Sequence, residues 1–264
     1  MRGSFKIGRF AGVDTFVHWT FLLLLAWAAW AAYDGAGSGI AVLFGLAFLV
    51  AVFASVLLHE LGHALVARRY GVRTHNILLT PIGGIANLEG MPRAPKAEIA
   101  VALAGPAVNL AIAAGLALVV LMTGWTGFGL LQPLLFANVS LALFNLIPAF
   151  PMDGGRALRA YLSMGLGPRR ATNIAVGLGK VVAVLMAIAG LVFNPMLLVI
   201  AVFVWFAGAA EANALRDEMM YDDDAQWGRR AAFDTPWWQW TAPPTRATTS
   251  RRAWTPTRIV ILRR

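Results

Sequence analysis

The sequence predicts an α-helical polytopic membrane protein of about six transmembrane helices, with a small membrane-associated β segment between the second and third. Three observations predict it. Hydrophobic residues make up 59% of the chain and charged residues only 13%, a membrane balance rather than that of a soluble core. Six apolar segments are near the ~20 residues that a helix needs to cross ~30 Å of hydrocarbon. Lys and Arg are confined to alternate connections between those segments.

The segments run 16–33, 39–68, 97–122, 128–148, 174–193 and 195–213. In the first, Val17 to Tyr33 follows a basic stretch and shows no small-residue cleavage site, so it reads as a span rather than a leader. The second is longer and must tilt or extend into water. After it, Asn76 to Leu88 is β-prone but interrupted by Pro81, Gly83 and Gly84, too broken for a span. In the third, Gly105 and Pro106 read as residues that shape the helix and its packing. The fourth ends in Asn145-Leu146-Ile147-Pro148-Ala149-Phe150-Pro151-Met152-Asp153-Gly154-Gly155. Pro148 and Pro151 cannot continue a regular helix. Broken backbone at membrane depth is tolerated only where it lines a protein cavity.

Orientation follows from the cations. Arg2, Lys6 and Arg9 precede the first span, and Arg68, Arg69, Arg73, Arg93 and Lys96 lie between the second and third. Arg156, Arg159, Arg169 and Arg170 lie between the fourth and fifth, and Arg216 follows the sixth. This pattern predicts that both termini are cytoplasmic. Lys180, early in span five, can snorkel to the same side. The net charge of +9 therefore reflects membrane orientation and predicts no nucleic-acid partner. The domain reading is a six-span core, 1–215, and a cytoplasmic tail, 216–264. The tail holds Asp222–Asp224, then arginines and tryptophans among Pro and Thr, with no structural period, and reads as disordered. It suits docking on anionic lipid or the remnant of a degraded regulatory domain, and is assigned no site.

The chemistry is concentrated in His59-Glu60-Leu61-Gly62-His63, an H-E-x-x-H motif inside a span whose preceding residues, Ile40 to Leu58, carry no charge. Ionisable side chains in hydrocarbon cost several kcal/mol and mark a functional site. Two histidines four apart share one helix face and can hold one zinc ion, with Glu60 beside them as general base. At ~1.5 Å per residue the site lies roughly 13 Å inside the level of Arg68, so water must reach it through a polar cavity. With no cysteine in the chain, any metal is held by His, Asp or Glu. A catalytic zinc usually takes three protein ligands. Asp153, after the proline break and before the turn-permitting Gly154 and Gly155, suits the third place. It also reads as a helix cap, and His18, Glu89 and His75 are rival ligands.

The chain resembles the site-2 proteases, intramembrane zinc metalloproteases. The resemblance covers roughly residues 10–215. It rests on H-E-L-G-H, on Pro81-Ile82-Gly83-Gly84, on Ala104-Gly105-Pro106-Ala107-Val108-Asn109 and on Asn145…Pro148…Pro151-Met152-Asp153-Gly154. Met152 stands where the family usually has leucine. The resemblance implies His59, His63 and Asp153 as ligands of Zn2+, Glu60 as catalytic base, and Asn109 and Asn145 as residues lining the active site. It also implies a single-span membrane-protein substrate, such as an anti-sigma factor, in a bacterial or archaeal plasma membrane. The family's PDZ domain and nucleotide-sensing repeats are not visible here.

A transmembrane substrate must unwind before it is cut. The segment 76–88 could offer it a strand edge, with Gly83, Gly84 and Ile85 as substrate-binding positions; otherwise it is a re-entrant turn that closes the cavity. Two other functions fit less well. One is a membrane metal hydrolase acting on a prenylated or lipid-linked substrate, which the Asn145–Gly154 segment argues against. The other is a non-catalytic metal-binding scaffold, which would need no Glu60. Substrate identity and oligomeric state are not legible.

Overall fold

A serine cap opens one of the long helices, and a left-handed glycine closes two others. Ser38 Oγ accepts from the Ala41 amide at 3.3 Å and opens α2, Gly39–Arg69. Gly37, at φ 62°, closes α1, Thr20–Ala36, and Gly124, at φ 63°, closes α3, Pro95–Thr123. The computed structural model describes residues 3–81, 83–90, 92, 94–127, 129–210 and 213–214. The whole of the predicted tail, 216–264, and Ile82 lie outside the described residues. The remaining helices are α4, Leu131–Asn145, α5, Asp153–Leu166, α6, Pro168–Val192, and α7, Met196–Ala210.

Among the described residues three helices, α2, α3 and α6, are long and apolar enough to cross a membrane. The other three predicted spans appear as shorter apolar helices, α1, α4 and α7. The 15 residues of α4 reach ~22 Å at 1.5 Å per residue, short of a ~30 Å core. The fold is thus mainly helical and apolar outside: Leu23, Trp27 and Trp30 of α1 and Val181, Leu185 and Ile188 of α6 are all exposed.

Two elements differ from expectation. The first predicted span began at residue 16, yet Val13–His18 is strand β2, paired with β1, Ser4–Phe10, through a turn at Ala11-Gly12. Its mixture of Phe, Val and Thr merges into the apolar run of α1 by hydropathy. The second difference is α5. Gly154 and Gly155 were expected to make a sharp turn, but they form the first turn of this helix.

The β segment after α2 is real and belongs to a larger sheet. Strands β3, Thr74–Thr80, and β4, Gly83–Leu88, are antiparallel, with Leu78 opposite Ile85 and Leu79 opposite Gly84. β3 also pairs in parallel with β2, Phe16 opposite Leu78. The order is β1-β2-β3-β4, which leaves β4 as an edge. Val13, Ile77 and Leu79 of the sheet pack on Leu61 and Ala64 of α2. The sheet is therefore fastened to the same helical turn that carries the motif.

Candidate active site

On α2 the two motif histidines are one turn apart, and both are buried. Their rings meet edge to face, centroids 4.7 Å apart, and their Nε2 atoms stand 3.1 Å from each other. Asp153 Oδ2 lies 3.2 Å from His59 Nε2 and 3.3 Å from His63 Nε2. His63 Nδ1 is 2.7 Å from the Val101 carbonyl of α3. A carbonyl only accepts, so Nδ1 carries the proton and Nε2 turns its lone pair to the other donors. These residues offer ligand atoms within 4.8 Å of one another and could hold a metal ion. Two imidazole nitrogens and one carboxylate are a donor set that zinc takes.

The space around the donors depends on missing side chains. A Cβ at Gly105 would overlap Nε2 of both histidines, and one at Gly62 would fall 3.0 Å from the Ala104 carbonyl oxygen. α2 and α3 can thus approach closely only with glycine at those places. A Cβ at Gly84 would run into Cγ of Glu60, which puts the edge strand directly against the proposed base.

Asp153 is delivered by irregular backbone. Phe150 is fully buried and Met152 nearly so. Met152 packs with Ala183 of α6 and Val204 of α7. A Cβ at Gly179 or Gly208 would sit 2.9 Å from the Phe150 carbonyl oxygen, so α6 and α7 form a glycine-lined seat for this segment. The helix cap is Met152, and Asp153 is the first residue of α5. Its carboxylate faces the histidines rather than capping the helix, as the alternative reading had it.

A cavity of about 570 Å³ opens beside the donors and is lined by His59, Glu60, His63, Asn109, Asn145 and Asp153 together with Gly83 to Ala86. An H-E-x-x-H helix thus meets an aspartate from a proline-broken segment. The Peptidase family M50 profile matches residues 47–130 and 125–188. The chain belongs to peptidase family M50.

Relatives agree. A zinc metalloprotease of Methanocaldococcus jannaschii is 37% identical over 226 residues, which is 84% of this chain and 64% of that protein. Rip3 of Mycobacterium tuberculosis is 34% identical over 247 residues, covering 84% of this chain and 62% of its own length. The chain therefore spans less than two thirds of either relative. The solved site-2 protease from Methanocaldococcus jannaschii superposes with a TM-score of 0.59 at 36% identity, covering 79% of this chain and 95% of that structure.

In this M50 chain the rival ligands are engaged elsewhere. His18 ends β2 and has Nδ1 2.7 Å from Thr20 Oγ1. His75 and Glu89 face each other at 3.6 Å, both exposed. Lys180, expected to snorkel, stands over the Trp205 ring at 5.5 Å. Asn145 Nδ2 donates to the Leu141 carbonyl at 3.0 Å. Asn109 is 1% exposed, and neither side-chain polar atom has a hydrogen-bond partner among the described residues.

Three features escaped the sequence reading. Asn138, fully buried, donates from Nδ2 to Ser55 Oγ at 3.1 Å and so links α4 to α2. Arg156 lines the cavity beside Asp153. Arg159 of α5 donates from Nε at 3.2 Å, and from Nη2, to Glu98 Oε1 of α3, both side chains buried. A local signal existed only for Glu98, which stands in the first turn of a helix, where an acid is favoured.

Proposed function

We propose that this protein is an intramembrane zinc metalloprotease that hydrolyses peptide bonds in or near the transmembrane helix of a single-span membrane protein. The observation that carries the reading is the convergence of His59, His63 and Asp153 on a cavity that Glu60 also lines, in a bundle of membrane-length helices. His59 Nε2, His63 Nε2 and an Asp153 oxygen would hold the ion. When bound, zinc supplies a Lewis acid for the scissile carbonyl and brings the pKa of a water toward ~7. Glu60 takes the proton of the attacking water and hands it to the leaving nitrogen. Asn109 and Asn145 are donors for the developing oxyanion. Asn109 has an unused amide in the cavity wall, and Asn145, bonded once to Leu141, keeps a second N–H.

The substrate enters extended and pairs with β4. This is supported by the edge position of β4 and by Gly83, Gly84 and Ile85 in the cavity wall. Backbone pairing makes little demand on sequence, which suits a regulatory single-span protein such as an anti-sigma factor. Six crossings with both termini in the cytoplasm remain our reading of the charge pattern. Reporter fusions after Asp34, Gly127, Arg170 and Arg216 should read outside, outside, inside and inside, and an external reading at Arg170 would overturn it.

Activity is tested by Glu60→Gln in purified, zinc-loaded protein. Cleavage of a transmembrane substrate should fall roughly 10²- to 10⁴-fold, with zinc content and melting temperature unchanged. Cleavage near the parent rate would sink the proposal.

A further inference from the structure

The ion pair between Glu98 and Arg159 takes no place in the chemistry above, yet it lies between the two supports of the donor set. Glu98 and Val101 are one turn apart on α3, and the Val101 carbonyl fixes His63 Nδ1 at 2.7 Å. Arg159 lies on α5, the helix that begins with Asp153. Glu98 is 6% exposed and Arg159 9%. Arg159 addresses a single carboxylate oxygen from two nitrogens, Nε and Nη2.

We propose that Glu98 and Arg159 are a positioning pair that fixes α5 against α3 and so holds Asp153 at the histidines. The inference rests on the metal-site reading given above. A buried ion pair adds little net stability, because desolvation offsets the attraction; its best-attested role is to select one register. A guanidinium fork is satisfied in only a narrow range of orientations. Here the selected register is that of the carboxylate-bearing helix against the helix that orients His63. Without the pair, the remaining contacts between α3 and α5 tolerate sliding and rotation, and Asp153 moves with its helix.

Removing one partner leaves a bare buried charge and risks unfolding. The test therefore replaces both, as E98L/R159M, and measures zinc affinity by chelator competition on purified full-length protein. Melting of the metal-free form is followed alongside. The melting temperature should stay within about 4 °C of the parent, while zinc binds roughly 10- to 100-fold more weakly, the range for groups that orient ligands. R159K, which keeps the charge and loses the fork, should fall between. In a D153N background the E98L/R159M change should cost little further affinity, because its effect runs through Asp153.

Parent-like zinc affinity in E98L/R159M would overturn the proposal. So would an equal loss with and without D153N, which would mark a general structural role. A parent protein that binds no zinc would overturn the metal-site reading itself, and this inference with it.

Discussion

The two halves of the donor set are built in different ways. His59 and His63 come from an uninterrupted helix, where four-residue spacing alone puts both rings on one face. Asp153 comes from backbone that no local rule shapes: a proline-broken stretch seated on Gly179 and Gly208, with Gly155 against the Ala149 and Phe150 backbone. One half is specified by neighbours in sequence, the other by neighbours in space. Tolerance to substitution should therefore be unequal even at matched distance from the ligands.

The largest effect should come from removing the spatially delivered carboxylate, the proposed third ligand. Asp153→Ala is expected to weaken zinc binding by more than ~100-fold, beyond the range for residues that merely support a ligand. Elemental analysis after dialysis reads it, and full zinc occupancy would move the third ligand elsewhere.

Next is a direct contrast of the two halves. Gly155→Ala adds one methyl against backbone and should cost ~1–3 kcal/mol of stability through overpacking, with zinc affinity falling alongside. Leu58→Ala removes more atoms beside His59, but from an exposed position on a regular helix, where alanine is a good helix former. Thermal melting and zinc titration should show Leu58→Ala close to the parent. The reverse ranking would break the comparison.

Gly84→Ala should be milder and separable from the metal. The added Cβ displaces the Glu60 side chain, so cleavage should drop about tenfold, a fraction of what acid–base catalysis contributes, while zinc content holds. The smallest functional effect belongs to Ile85→Cys, at an exposed edge position in a chain with no other cysteine. It should cleave nearly as the parent does and, combined with Glu60→Gln, crosslink to a substrate cysteine near the scissile bond. Crosslinks arising only from α6 and α7 would make β4 a structural plug.

The same division explains what could be read from the sequence. H-E-x-x-H and the long α2 were legible because charge in an apolar run and helical spacing are local signals. The aspartate was legible because Pro148 and Pro151 announce a break, although the start of the next helix at Asp153 was not: Gly154 and Gly155 look like a turn until the Leu146 and Ala149 backbone packed against them is seen. The hairpin β1–β2 carried a signal in its β-branched and aromatic Val13, Thr15, Phe16 and Val17 and its Ala11-Gly12 turn, but it was absorbed into the neighbouring span. Glu98 with Arg159, and Ser55 with Asn138, were not legible at all. Their partners stand 61 and 83 positions apart, and only the packed helices bring them together.

The parallel pairing of β2 with β3 has a consequence for how the protein is made. β2 is synthesised before α1 and α2, yet its partner follows both helices. At ~5–20 residues per second, the hairpin waits on the order of 3–11 s with its inner edge unmet. Because that edge finally bonds to the connection after α2, the two stretches flanking the α1–α2 pair must come to rest on one side of the membrane. The nascent chain then completes its parts in a fixed order: histidines, strand edge, carboxylate. Until Asp153 emerges only two of the three proposed donors exist, so a growing chain already carrying the proposed base and its strand edge still lacks the third side chain of the candidate metal site.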